Sequence, residues 1–245
     1  MSCVIGSFGC TTVPSTKPVD LVEQSKKDVA LGSELSEQLE SNLELKTVPE
    51  TQIFLRKIAA ALAAGDLVLK DHAIGVLLIA SKTGKWRNFA TPGARVYLSI
   101  ALLQKLQFEN EWAAAIALEL GHLSARHLQQ HAAEEIPDRA DGAIHSDQKQ
   151  KLFGPSGVFN FNESDGKQAI ELAVGLLYGA GYDPRGLPAL FKTYESHLQR
   201  SPYESDTIQR FLEYTRGVIS KYAPLRNPIV RTDEFRAAQK RIGRL

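Results

Sequence analysis

The residues with the clearest chemical potential stand together in Ala117-Leu118-Glu119-Leu120-Gly121-His122. Side chains four apart on a helix share a face. Two histidines at that spacing, with a glutamate after the first, grip zinc and activate its bound water. Glu119 and His122 keep their places in this pattern, but the first histidine position holds Leu118, which has no lone pair to offer a metal. A lone Glu–His couple in an Ala/Leu-rich helix is more often structural than catalytic. On the residues alone, Glu119 is expected to be buried or to line a cleft, paired with His122 or Arg126.

Other groups with chemical potential are weaker. His127 and His131 are also four apart, but Gln129, Gln130 and Ala132 around them read as a solvated helix end. Asp138, Asp141, His145 and Asp147 cluster in a polar stretch whose spacing fits no metal loop. Cys3 and Cys10 are the only cysteines, too few and too terminal for a disulfide framework or a thiolate site.

The central helix that carries Glu119 and His122 is expected over 109–131, built around Ala113, Ile116, Ala117, Leu120 and Leu123. Before it, periodicity predicts helices over 20–43 and 50–64 and strands over 73–80 and 95–99. A loop over 88–93 joins the strands, and a short helix follows over 100–106. After it, a polar connection over 134–162 leads to a helix opened by Asp165 and Gln168 at capping-box spacing and closed by Gly179 and Gly181. Helices through Leu187–Leu198, from Ser205 past Val218, and a terminal polar helix over 231–245 complete the chain. The expected fold class is α+β, predominantly helical, with a small β-sheet. The expected organisation is one domain over 21–245 behind a tether over 1–20.

The chain carries 29 basic and 28 acidic residues for a net charge of +1, which gives no basic surface for nucleic acid as an obligatory partner. No apolar run approaches the 18 residues of a membrane-spanning helix. A small residue before Cys10, then Thr11, Thr12 and a Ser/Pro/Thr-rich spacer, resembles the lipobox and tether of bacterial lipoproteins. Acylation of Cys10 would be the route to a membrane. The expected location is the cell envelope or periplasm, with the cytoplasm second.

Several stretches, in order over residues 25–215, resemble the HtpX-like and BepA-like zinc endopeptidases, whose catalytic domain is a helical gluzincin with a small sheet at the cleft edge. Asn88-Phe89-Ala90-Thr91-Pro92-Gly93-Ala94-Arg95-Val96-Tyr97-Leu98 is similar to the family's NAFA.PGG.IYV stretch. Leu118-Glu119-Leu120-Gly121-His122-Leu123-Ser124-Ala125-Arg126-His127 resembles HEIAHVLARH, and Gly179-Ala180-Gly181-Tyr182-Asp183-Pro184-Arg185 resembles the AGYDP turn.

The resemblance implies roles position by position. The first zinc histidine falls on Leu118, the general base on Glu119, and the second histidine on His122, with Arg126 and His127 retained beyond. The third ligand, a glutamate of ExxAD, falls on Gly166, and the aspartate of that motif on Ile170. A later HP motif falls on Ser201-Pro202, followed by Arg210. Two of three ligands are therefore replaced, and a single imidazole does not make a zinc site. The implied protein is a pseudo-peptidase without a cofactor. It would bind extended polypeptides as an adaptor or chaperone, with Arg95, Val96, Tyr97 and Leu98 as the edge that takes them by strand addition. Two alternatives stand beside it. One is an active zinc endopeptidase in which His122 is joined by Asp165 or Glu163. The other is a structural subunit whose cleft is closed by Leu118 and Ile170. The sequence leaves the oligomeric state unset.

Overall fold

The structure, a computed structural model, describes residues 21–81, 84–135, 159 and 161–245. The tether with Cys10, and Asp138, Asp141, His145 and Asp147 of the polar connection, lie outside the described residues. In chain order the elements are α1 (Leu21–Glu40), α2 (Pro49–Ala63), β1 (Gly75–Ile79), β2 (Phe89–Thr91), β3 (Arg95–Ser99), α3 (Ile100–Leu103), α4 (Glu109–Ser124) and α5 (His127–Glu135). They continue as α6 (Glu163–Gly179), α7 (Gly186–Glu195), α8 (Ser205–Ile219) and α9 (Asp233–Ile242). The fold is predominantly helical with a small mixed β-sheet, as expected for an α+β domain of metallopeptidase type.

α4 forms the axis. Its alanines and leucines are buried on all sides, which is the pattern of a helix enclosed by others. α2, α6, α7 and the sheet surround it, and Trp112 on α4 contacts the rings of Phe54 on α2 and Phe235 on α9. The crossing with α6 is close because position 121 has no side chain: a Cβ there would lie 2.4 Å from the Ala169 carbonyl oxygen. Leu118 and Ile170 are 3% and 0% exposed and join the core that these two helices share.

The sheet has the order β1-β3-β2, with β1 parallel and β2 antiparallel to β3. Val96 and Leu98 face the α4 core, and Tyr97 faces a second cluster with Leu31 and Leu35 of α1, Phe89, Leu128 and Phe159. Both faces are thus covered, which explains the unbroken apolar run at β1. The segment expected as a loop contains β2, whose three residues pair across a turn where Gly93 and Ala94 have φ of 81° and 65°. Arg95, Val96, Tyr97 and Leu98, expected at an edge, form the central strand instead. Neighbouring strands occupy both of its sides, so it cannot accept another.

Three further departures concern the helices. The helix expected over 109–131 is two helices, parted at Arg126, whose φ of 59° is left-handed. That conformation costs about 1 kcal/mol or more for a residue with a Cβ. It is held by two hydrogen bonds from the Arg126 guanidinium to Asp28 of α1, one of them 2.8 Å long. α6 is capped by Asn162 rather than Asp165: Asn162 Oδ1 accepts from Asp165 N, and Asp165 Oδ2 accepts from Asn162 N. The terminal helix is amphipathic, with Phe235, Ala238 and Ile242 buried. Thr232 caps it and also donates to the buried Glu109, which receives Tyr182 Oη of the Gly181-Tyr182-Asp183 turn. That turn therefore ties the start of α4 to the end of the chain.

Candidate functional site

Glu119 and His122 are one turn apart on α4, and both open onto a cavity of about 470 Å³ between α4, α6, β2 and the segment that joins α7 to α8. Each is 7% exposed. Burial alone pushes the Glu119 carboxyl up to about 8. The expected pairing of Glu119 is not found. His122 is engaged by His127 and Arg126 by Asp28, and no group among the described residues donates to Glu119. Gly166 also lines the cavity, at the place the resemblance gives to the third ligand. The ring of Phe211 fills the space beside it, since a Cβ on Gly166 would lie 2.3 Å from Phe211 Cζ. Leu118 and Ile170 are absorbed into the core.

His122 belongs to a packed network that the sequence did not suggest. Its ring stacks on Phe161 with centroids 4.2 Å apart and planes 16° apart. His122 Nδ1 lies 3.0 Å from His127 Nδ1, and His127 Nε2 lies 3.0 Å from Gln168 Oε1. His131 Nε2 lies 2.8 Å from Asp165 Oδ2. His127 is fully buried and His131 is bound to Asp165, so neither stands at a solvated helix end. Two oxygens face His127 Nε2, that of Gln168 and Asp165 Oδ1 at 3.9 Å, and both favour a proton there. With one proton on each ring, His127 Nδ1 accepts from His122 Nδ1–H, and His122 Nε2 keeps its lone pair. Burial, and then the neighbouring His127, lower the His122 imidazole to about 3, so it is neutral across the physiological range.

The rest of the rim comes from three places. β2 supplies Phe89, and Asn88 just before it donates to Tyr194 Oη at 2.9 Å. Thus the sheet does border the cleft, but through β2. Ser201 lies outside the cavity: it is fully buried, donates to the Tyr203 carbonyl at 2.9 Å and accepts from Tyr203 N at 3.0 Å. This tight turn presents Pro202 and Tyr203 to the cavity instead. Tyr194 is buried and Tyr203 half-buried, and desolvation first, with the charge of Glu119 as a smaller cause, pushes both phenols upward. Arg210 reaches the rim as expected, where its Nε donates to Glu163 Oε2 at 2.8 Å. Phe161, Tyr194, Tyr203 and Phe211 were missed in the sequence. The Phe159–Phe161 alternation after the long polar stretch is the one local signal that pointed to them.

Of the three expected ligand positions, only His122 carries a donor. The substitutes Asp165 and Glu163 are committed elsewhere, Asp165 to the α6 cap and His131, Glu163 to Lys167 and Arg210. Among the described residues no three His, Cys, Asp or Glu side chains converge as a metal site would require. What the arrangement offers is an aromatic-walled cavity with a buried carboxyl and a neutral imidazole at its floor.

No curated protein matches the chain. Residues 55–137, from within α2 to just past α5, match the family model described as Peptidase family M48. Over this part of the chain, about a third of it, which holds the sheet, Glu119 and His122, the protein is similar to M48 peptidases.

Proposed function

We propose that the protein is a pseudo-peptidase of HtpX/BepA-like descent, which binds extended polypeptide in the inherited cleft without hydrolysing it. One observation carries this reading: the cleft persists while its ligand positions have been taken over by packing. Leu118 and Ile170 sit in the core and Gly166 lies against Phe211, yet about 470 Å³ of cavity stays open over Glu119 and His122. A structural subunit with a closed cleft would have filled that space. Placement in the cell envelope rests on the sequence around Cys10, and labelling with radioactive palmitate, abolished by Cys10→Ser, is its test.

The deciding experiment is metal stoichiometry by elemental mass spectrometry after incubation with zinc and desalting, beside capture of a reduced, unfolded protein. The expected result is well below one zinc per chain together with saturable capture. One zinc per chain that disappears in His122→Ala, with cleavage of the unfolded protein, would replace this reading by an active peptidase with a substitute ligand.

A further inference from the structure

The cavity floor holds polar groups without partners among the described residues. Glu119 is 7% exposed, its carboxyl opens into the cavity, and nothing among the described residues hydrogen-bonds to it. His122 lines the same cavity, and its Nε2 has no hydrogen-bond partner among the described residues. The Tyr203 hydroxyl, also on the cavity, has no partner among the described residues either. The lining carries three carboxyl groups, on Glu119, Glu163 and Glu204, and two cations, Lys85 and Arg210. Both cations are engaged, Arg210 with Glu163 and Lys85 Nζ with the Leu198 carbonyl at 3.2 Å. The walls between are the rings of Phe89, Phe161, Tyr194, Tyr203 and Phe211.

Each class of ligand can be weighed against this chemistry. An anion would meet a neutral imidazole and two lining cations that are already engaged. A purely apolar group would leave the Glu119 carboxyl buried and unpaired, which is costly. A hard divalent ion needs six or more oxygens, and aromatic walls supply none. An organic cation satisfies both parts of the site, because aromatic faces attract it and its N–H groups can donate to the unpartnered oxygens and ring nitrogen that line the cavity.

From this geometry we infer that the cavity takes an alkylammonium or guanidinium group, the side chain of a lysine or arginine in a bound polypeptide, with Glu119, which gives up its proton to solvent as the cation binds, as its counter-ion. The inference rests on the polypeptide-binding reading and names the residue that reading would prefer. The carboxyl that resemblance assigns to general-base duty thereby becomes a specificity determinant. A Lys or Arg side chain needs far less room than the cavity provides, so flanking residues can enter with it.

The test uses the full chain, fluorescently labelled, on an array of hexapeptides in which each position is fixed in turn as one residue type and the others are varied. Lysine and arginine are expected to be enriched about tenfold over norleucine at one position. In Glu119→Gln, which keeps size and removes charge, the preference is expected to fall to within about twofold. The variant's melting temperature and its binding to the remaining peptides show whether it stays folded. Binding without a basic preference overturns the inference and leaves the polypeptide-binding reading standing. A basic preference that survives in Glu119→Gln also overturns it, because the cation would then sit on another carboxylate. No binding to any peptide, by a chain that melts cooperatively, overturns both.

Discussion

Glu119→Gln should make the protein more stable at alkaline pH and change it little at acid pH. Burial raises the carboxyl from 4.5 to about 8. A native state that holds its proton more tightly than the unfolded chain has its full stability below pH 4.5 and loses it as pH rises toward 8. Each tenfold gain in proton affinity corresponds to about 1.4 kcal/mol, so the alkaline penalty has an upper limit of about 5 kcal/mol. Water entering the cavity reduces this, and about 2–3 kcal/mol is the working figure for a half-compensated site. Glutamine removes the charge and keeps the shape. Its own buried amide costs the same at every pH and cancels from the comparison. For a chain of 245 residues the gain amounts to about 5–10 °C in Tm at pH 8.5, against about 2 °C or less at pH 5. Thermal melts followed by circular dichroism at both pH values measure it. A gap independent of pH, or a wild type that is the more stable at pH 8.5, would refute the claim that this carboxyl is buried without a partner.

Other perturbations report on the surrounding frame. His127→Ala leaves His122 Nδ1 and Gln168 without their partner in a fully buried site, and urea denaturation should show a loss of about 2–4 kcal/mol; a loss under 1 kcal/mol would mean that water replaces the ring freely. Gly166→Val drives a Cβ into Phe211 and should cost about 1–3 kcal/mol. Phe211→Leu should recover part of that cost in a double-mutant cycle, and strict additivity would place the two residues out of contact. Thr232→Ala removes the α9 cap and a donor to Glu109, an expected loss of about 1–3 kcal/mol by chemical denaturation. Asp28→Asn weakens the hold on Arg126 and should quicken limited proteolysis within α1, with no change expected in the fragments released from α6 to α9.

Legibility in the sequence follows how local each signal is. β3 begins and ends where alternation of Val96, Tyr97 and Leu98 places it, and α2 lies within a residue of its apolar stripe. Strand order is not local: nothing in residues 95–98 says which strands lie on either side, so an inner strand reads as an edge. β2 is three residues before Pro92-Gly93 and looks like a turn until its hairpin partner is known. The break at Arg126 has no glycine or proline to announce it and depends on a carboxylate 98 residues away. Within the site, motif spacing singles out Glu119 and His122, the family resemblance adds Gly166 and Arg210, and all four line the cavity. The aromatic walls escape notice because a Phe or Tyr on a helix reads first as core, and many of these rings serve both purposes. His127 reads as a surface residue because its neighbours in sequence are polar, whereas Gln168, which it meets across the helix pair, lies 41 residues on.

The left-handed residue between α4 and α5 also sets the rotational phase of everything after it. In an unbroken helix, residues five apart stand about 140° apart around the axis, so His122 and His127 would point to different sides. Arg126 resets the angle, and the two rings meet at 3.0 Å. Helical-wheel reasoning therefore cannot be carried from one side of residue 126 to the other. The histidines of α5 are addressed to His122 and to the start of α6 by one backbone torsion, and that torsion is held by a contact with α1. Any change that lets residue 126 relax to an ordinary helical φ would rotate His127 and His131 away from these partners without altering a single side chain of the cavity lining.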